Sequence, residues 1–243
     1  MTAIYHPTVA RLTFRALLGR KRALIMGVLP ALLLVIAVAV RMLSGADDRA
    51  TVSVLGGFAL AAVVPLVCVI AGTGSIAPEI DDGSVVYLLS KPVSRQTIIT
   101  TKFIVAVAVT GMFTVVPVYV AGLILNGNSQ YIAFAYTAAT AAAVIAYSAI
   151  FLLLGVVSRN AVVIGLIYAL IWEALFGRLM PGVGNLSVQQ WSLTLAEQIA
   201  ATGANVSSTV SLPAGVILLV LATVGGVWYA GRRLASFTFA GEH

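Results

Sequence analysis

Residues 52–76, VSVLGGFALAAVVPLVCVIAGTGSI, contain no acid and no base, and APEIDDGSVVYLLSKPVSRQTIITTK follows at 77–102. The first stretch is long enough to cross about 30 Å of hydrocarbon, since a spanning helix needs roughly 20 apolar residues. The second is different in kind. It carries acids at Glu79, Asp81 and Asp82, a Gly83-Ser84 turn, an amphipathic stretch through Leu88 and Leu89, and Pro92-Val93-Ser94-Arg95 before Lys102. It is the only long charged stretch with membrane-length apolar runs on both sides. That order reads as a surface built for a partner, held between two spans.

Working outward, five more apolar runs appear, at 23–40, 103–125, 131–157, 161–177 and 212–230. Backbone groups in lipid must be satisfied within their own segment, so these spans are expected to be helices. The alternation of a membrane β-strand is absent. The expected fold is therefore an all-α membrane protein with six transmembrane helices in one domain covering 1–243. Residues 1–22 precede the first span and are amphipathic: Val9, Leu12, Phe14, Leu17 and Leu18 interleave with Arg11, Arg15 and Arg20-Lys21-Arg22, the pattern of a helix lying in the membrane interface. The run at 23–40 exceeds the apolar core of a signal peptide, and we expect it to remain as a span. The outer segment 178–211 carries a helical pattern, with Ser187 as N-cap and Val188, Trp191, Leu195 and Ile199 on one face. The fifth span is short and ends in Met180-Pro181-Gly182, which suits a helix stopping inside the bilayer before a re-entrant piece.

Composition agrees with lipid as the solvent. The 243 residues are 60% hydrophobic and 9% charged, against about 25% charged in soluble domains, and mean hydropathy is +1.06. The net charge of +6 is not a nucleic-acid signal, because the basic residues sit at the ends of apolar runs. With the N-terminus in the cytoplasm, eleven of the fourteen Lys and Arg face inward, and only Arg41, Arg49 and Arg178 face outward. Positive residues prefer the cytoplasmic side, so both termini and the 77–102 segment are expected there, in a plasma membrane. The single cysteine, Cys68, lies within an apolar run and reads as a small buried side chain.

Chemistry-bearing motifs are sparse. The three lysines, Lys21, Lys91 and Lys102, follow Arg20, Ser90 and Thr101, so no Gly-x-x-x-x-Gly-Lys-Ser/Thr phosphate loop exists. Both histidines, His6 and His243, lie in tails, which excludes a His-Glu-x-x-His zinc site. We expect no catalytic, metal or cofactor site. Gly72-Thr73-Gly74-Ser75 reads as close helix packing rather than a phosphate cradle, and Ala135, Ala139 and Ala143 form a further packing face. Pro30, Pro65 and Pro117 are expected to bend three spans. One acid lies within a span, Glu173 beside Trp172. An intramembrane carboxylate is costly. It either lines a translocation path or is satisfied structurally by a neighbouring helix or Arg178.

Together these residues resemble an ABC-2 type permease, the membrane subunit of an ATP-binding-cassette exporter, over nearly the whole length. Three features carry the resemblance. Leu17-Leu18-Gly19-Arg20-Lys21-Arg22 before the first span is similar to the family's elbow helix. Glu79-x-x-x-Gly83-Ser84-x-x-x-Leu88-Leu89-x-x-Pro92-Val93-Ser94-Arg95 resembles its cytoplasmic loop with a coupling helix. Tyr168 to Glu173, a Pro-Gly break and an outer helix follow. Lys91 departs from the family, where many relatives are apolar. The resemblance implies two permease subunits, alike or different, around a shared path, and two separate ATPase subunits that bind ATP and magnesium. It also implies coupling through Glu79, Asp81, Asp82, Gly83, Ser84, Leu88, Leu89 and Arg95. The exported substrate stays open. Two other readings remain at this level: a membrane scaffold that moves no solute, and a proton-coupled secondary transporter using Glu173.

Overall fold

The computed structural model describes residues 6–83, 94–176 and 183–236, and among these every regular element is a helix. In chain order they are α1 (Pro7–Leu17), α2 (Arg20–Ser44), α3 (Asp48–Val52), a first π-helix (Ser53–Val63), α4 (Val64–Gly74) and α5 (Ala77–Asp81). Next come α6 (Arg95–Asn126), a 3-10 turn (Ser129–Tyr131), α7 (Ile132–Val157), α8 (Ala161–Ile167) and a second π-helix (Tyr168–Phe176). A 3-10 turn (Val183–Leu186), α9 (Val188–Ile199) and α10 (Leu212–Ala235) complete the order.

Five helical spans, not six, are long and apolar enough to cross a membrane among the described residues: Lys21–Ser44, Asp48–Asp81, Arg95–Asn126, Ser129–Val157 and Leu212–Ala235. The expected span at 161–177 falls instead on a shorter apolar helix, Ala161–Glu173. At about 1.5 Å per residue it reaches roughly 20 Å, short of the hydrocarbon thickness. The helix continues as far as Phe176, and the Met180-Pro181-Gly182 break expected to end it lies outside the described residues.

Burial sorts the spans into centre and rim. The most apolar windows of Asp48–Asp81 and Ser129–Val157 are 67% and 61% buried, against 22% for Lys21–Ser44 and 17% for Leu212–Ala235. α7 is the hub and packs on α4, α6, α9 and α10. Its small residues make this possible: Ala135, Ala139 and Ala143 are all fully buried. At Gly72, opposite α7, an added Cβ would lie 2.7 Å from Cβ of Phe151, so the Gly-Thr-Gly-Ser stretch serves helix contact as the sequence suggested.

Prolines act differently in each span. Pro30 and Pro117 lie within α2 and α6. Pro65 stands in the first turn of α4, just past the π-helix that ends at Val63. Having no N–H to give, it suits the switch from one hydrogen-bond pattern to the other.

Two ends of the bundle are defined by hydrogen bonds. At one end Arg22 meets Gly74, Arg95 meets Leu234 and the His6 backbone N–H donates to Thr101 Oγ1. His6, just before α1, and the last turn of α10 both lie there. At the far end Arg41 meets Leu125, Asn126 meets Asp48, and Ala201 N–H donates to the Gln130 carbonyl. α1 buries Val9, Ala10, Thr13 and Leu17 against α6 while Arg11 and Arg15 stay exposed; the amphipathic stretch expected over residues 1–22 is divided, since Leu12 and Phe14 are exposed as well and Arg20-Lys21-Arg22 open α2. α9 is more enclosed than its one-sided pattern predicts, because Val188 to Thr194 are all buried.

Candidate functional site

The terminal end gathers the residues that the charged 77–102 segment brings. α4 ends with carbonyls that have no partner within the helix. Two cations from other helices take them up: Arg22 Nη1 donates to Gly74 O at 3.1 Å, and Lys102 Nζ to Ser75 O at 2.7 Å. Positive charge at a helix C-terminus also opposes its dipole. Lys102 Nζ further pairs with Glu79 Oε1 at 2.6 Å. Lys102 is fully buried, which an ammonium tolerates only when paired and hydrogen-bonded.

Lys102 is aimed there by the start of α6. Ser94 is the N-cap, accepting from Thr97 N–H at 3.1 Å, a common way to satisfy a helix's first donors. The neighbouring Arg95 Nη1 reaches 3.2 Å to the Leu234 carbonyl near the end of α10. The described ends of the charged segment, at α5 and at the start of α6, are thus both anchored.

The predicted partner-facing acids divide. Glu79 turns inward to Lys102 and keeps 28% of its side-chain surface. Asp81, Asp82 and Gly83 are exposed. Gly83 has φ +70 and closes α5 with its N–H on Ile80 O at 3.2 Å, the left-handed turn for which glycine is suited. Ser84, Leu88 and Leu89 lie outside the described residues. Beside Asp81 a groove of about 480 Å³ is lined by Ile80, Ser158, Arg159 and Arg233, so both signs of charge meet at its walls.

Glu173 lies elsewhere, in the second π-helix, and is fully buried. Four donors converge on it. Oε1 accepts from Tyr168 Oη at 2.8 Å and Val188 N–H at 3.0 Å. Oε2 accepts from Ser187 Oγ at 2.5 Å and Gln189 N–H at 3.4 Å. The carboxylate thus sits on the N-terminus of α9, where free N–H groups and the helix dipole favour negative charge. Ser187 caps the same helix by accepting from Gln190 N–H. Trp172 Nε1 donates to Leu186 O at 3.3 Å, tying the same π-helix to the turn before α9.

The π geometry explains why Tyr168 reaches Glu173. Five residues in an α-helix turn through about 500°, which leaves the two side chains roughly 140° apart. An i→i+5 repeat returns them to one side.

A family model described as ABC-2 family transporter protein matches residues 8–228. The chain belongs to that family. No curated protein matches it. As an ABC-2 family member it is a membrane component of a transporter rather than itself a catalyst.

Sequence reasoning about this ABC-2 protein missed the anchoring roles of Arg22 and Lys102. Lys102 and Glu79 are 23 positions apart, beyond any helical spacing. It also missed Tyr168 as the partner of Glu173, because the two fall on one face only in a π-helix. Arg178, the other partner considered for Glu173, lies outside the described residues.

Proposed function

We propose that this chain is the permease subunit of an ABC exporter. It lies in the plasma membrane with both termini cytoplasmic, forms the translocation path in a dimer, and is driven by two separate ATPase subunits. The observation that supports this most is the anchored segment. Lys102 joins α6 to the end of α4 and to Glu79, and Arg95 joins α6 to α10. A push on residues 79–95 therefore has stiff routes into three spans, and packed elements move as units rather than deform continuously. Asp81 and Asp82, exposed beside the Arg159 and Arg233 groove, supply a polar surface for the ATPase. ATP shifts such a permease between inward and outward states only by binding them with different affinity.

The test is co-expression with the ATPase encoded beside this chain, purification through a tag on the permease, and measurement of ATP hydrolysis. A complex that hydrolyses ATP, and in which Gly83→Pro weakens hydrolysis while membrane insertion persists, supports the reading. A folded chain with no ATPase partner favours the scaffold instead. The proton-coupled reading draws less support, since Glu173 is occupied by four donors within the protein.

A further inference from the structure

A groove of about 480 Å³ lies where two spans end, between α5, the turn from α7 to α8 and the last turn of α10. Its lining includes Ile80, Asp81, Val156, Ser158, Arg159 and Arg233. Val156 is buried, while Asp81, Arg159 and Arg233 are exposed. The α7 span ends at Val157 and the α10 span at Ala235, so the groove stands at the level where hydrocarbon gives way to headgroups.

Both signs of charge face this groove without cancelling. Asp81 and Arg159 form no ion pair with each other or with any other described residue. Arg233 Nη1 reaches Ser236 Oγ at 3.5 Å, a long contact. Ser158 Oγ accepts from Asn160 N–H at 3.2 Å, which leaves its own O–H to donate. The last carbonyls of α7 have no partners within the helix and carry the negative end of its dipole. The groove thus offers guanidinium and hydroxyl donors to an anion, and a carboxylate beside a helix C-terminus to a cation.

We propose that this groove binds the headgroup of phosphatidylethanolamine, its phosphate meeting Arg159, Arg233 and Ser158 and its ammonium meeting Asp81. A simple anion placed here meets Asp81, and a simple cation meets two guanidiniums. A group that carries both charges a few bonds apart meets neither conflict, and charge-assisted hydrogen bonds are the strong ones. Basic pockets between membrane helices suit lipid phosphates. The carboxylate narrows the choice to a headgroup that also bears N–H donors. The volume falls within the roughly 300–1,000 Å³ of small-molecule sites, and the apolar Ile80 and Val156 suit the glycerol end of the lipid. The inference rests on the membrane reading of the chain and not on coupling to an ATPase.

The test uses the full chain, without an ATPase, in detergent micelles carrying equal amounts of phosphatidylethanolamine, phosphatidylcholine and phosphatidylglycerol. Lipid retained after washing is identified by native mass spectrometry. The proposal expects the ethanolamine lipid to be retained about tenfold more than the other two. Phosphatidylcholine has a methylated ammonium with no N–H, and phosphatidylglycerol has no ammonium. Arg159→Gln should cut retention by about tenfold. Asp81→Asn should abolish the preference for ethanolamine over glycerol, a change that a general loss of structure does not produce. Both side chains are exposed, so both variants should melt as the parent does. Arg232 lies over the Trp228 ring and outside the groove lining, and Arg232→Gln should retain lipid as the parent does. Equal or greater retention of either other lipid overturns the proposal. So does retention unchanged in Arg159→Gln and Asp81→Asn, or a loss in Arg232→Gln as large as in Arg159→Gln. Displacement by soluble phosphoethanolamine at the lipid's own concentration overturns the assignment to a lipid.

Discussion

Lys102 Nζ lies 2.6 Å from Glu79 Oε1, and this pair is the tightest link between the departing and returning ends of the charged segment. The ammonium also holds Ser75 O at 2.7 Å. Removing Glu79 therefore leaves a buried charge with one remaining acceptor. A fully buried pair broken on one side costs roughly 3–5 kcal/mol. Glu79 keeps 28% of its side-chain surface, so water softens the loss.

For Glu79→Gln we expect destabilisation of about 1–3 kcal/mol, read as a lower thermal transition of the purified protein. Lys102→Met removes the charge together with its desolvation cost. The double variant should then be less destabilised than the sum of the two single changes, by about 1 kcal/mol or more. Strict additivity would show that the pair carries no coupling.

Asp81 and Asp82 should behave in the opposite way. Both are exposed, so the Asp81→Ala, Asp82→Ala double variant should insert and melt like the parent. If these acids meet the ATPase, its hydrolysis in the co-purified complex should fall and depend more weakly on salt, because exposed charge pairs are screened. Unchanged hydrolysis and salt dependence would remove them from the contact.

Much of the fold was legible in the sequence, for a simple reason: in lipid, length and absence of charge nearly define a helix. The ends were less legible. The helical span expected at 103–125 runs from Arg95 to Asn126, since polar residues can continue a helix beyond the hydrocarbon. Neither π-helix carried a signal, because a uniformly apolar segment such as Ser53–Val63 has no periodicity to reveal its pitch. The partners of Glu173 were hidden for the same reason. Ser187 was foreseen as a cap from its residue type and place, yet nothing local showed that a carboxylate fourteen residues earlier shares that helix end.

At Glu173 four donors within the protein meet the carboxylate, and a structural role and a place on the substrate path predict different outcomes for its replacement. Glu173→Gln keeps the volume but replaces one acceptor oxygen with a donor, facing either Ser187 and Gln189 or Tyr168 and Val188. Losing such contacts costs about 1–3 kcal/mol. That cost should appear as amide exchange roughly tenfold to a hundredfold faster in the first turn of α9. Tyr168→Phe removes one donor of four and should give a smaller change. Altered transport with unchanged exchange at Val188 and Gln189 would instead place the carboxylate on the substrate path.

Close packing at the hub can be tested with two glycines of opposite setting. At Gly72 a Cβ would meet Phe151 Cβ at 2.7 Å and Leu152 N at 3.3 Å. Trimming the phenylalanine ring cannot relieve a contact made by its Cβ and the adjoining backbone. Gly72→Ala must therefore push α4 from α7, at a cost of about 1–3 kcal/mol. At Gly225 in α10 nothing lies within 4 Å, and alanine restricts the unfolded chain while favouring the helix. Gly225→Ala should be neutral or stabilise by about 0.5–1 kcal/mol. Thermal melts of the two variants side by side separate a contact within the subunit from one outside it. If Gly225→Ala destabilises as much as Gly72→Ala, that face of α10 is packed against something other than lipid. A second permease subunit is then the first candidate, and crosslinking from position 225 would identify it.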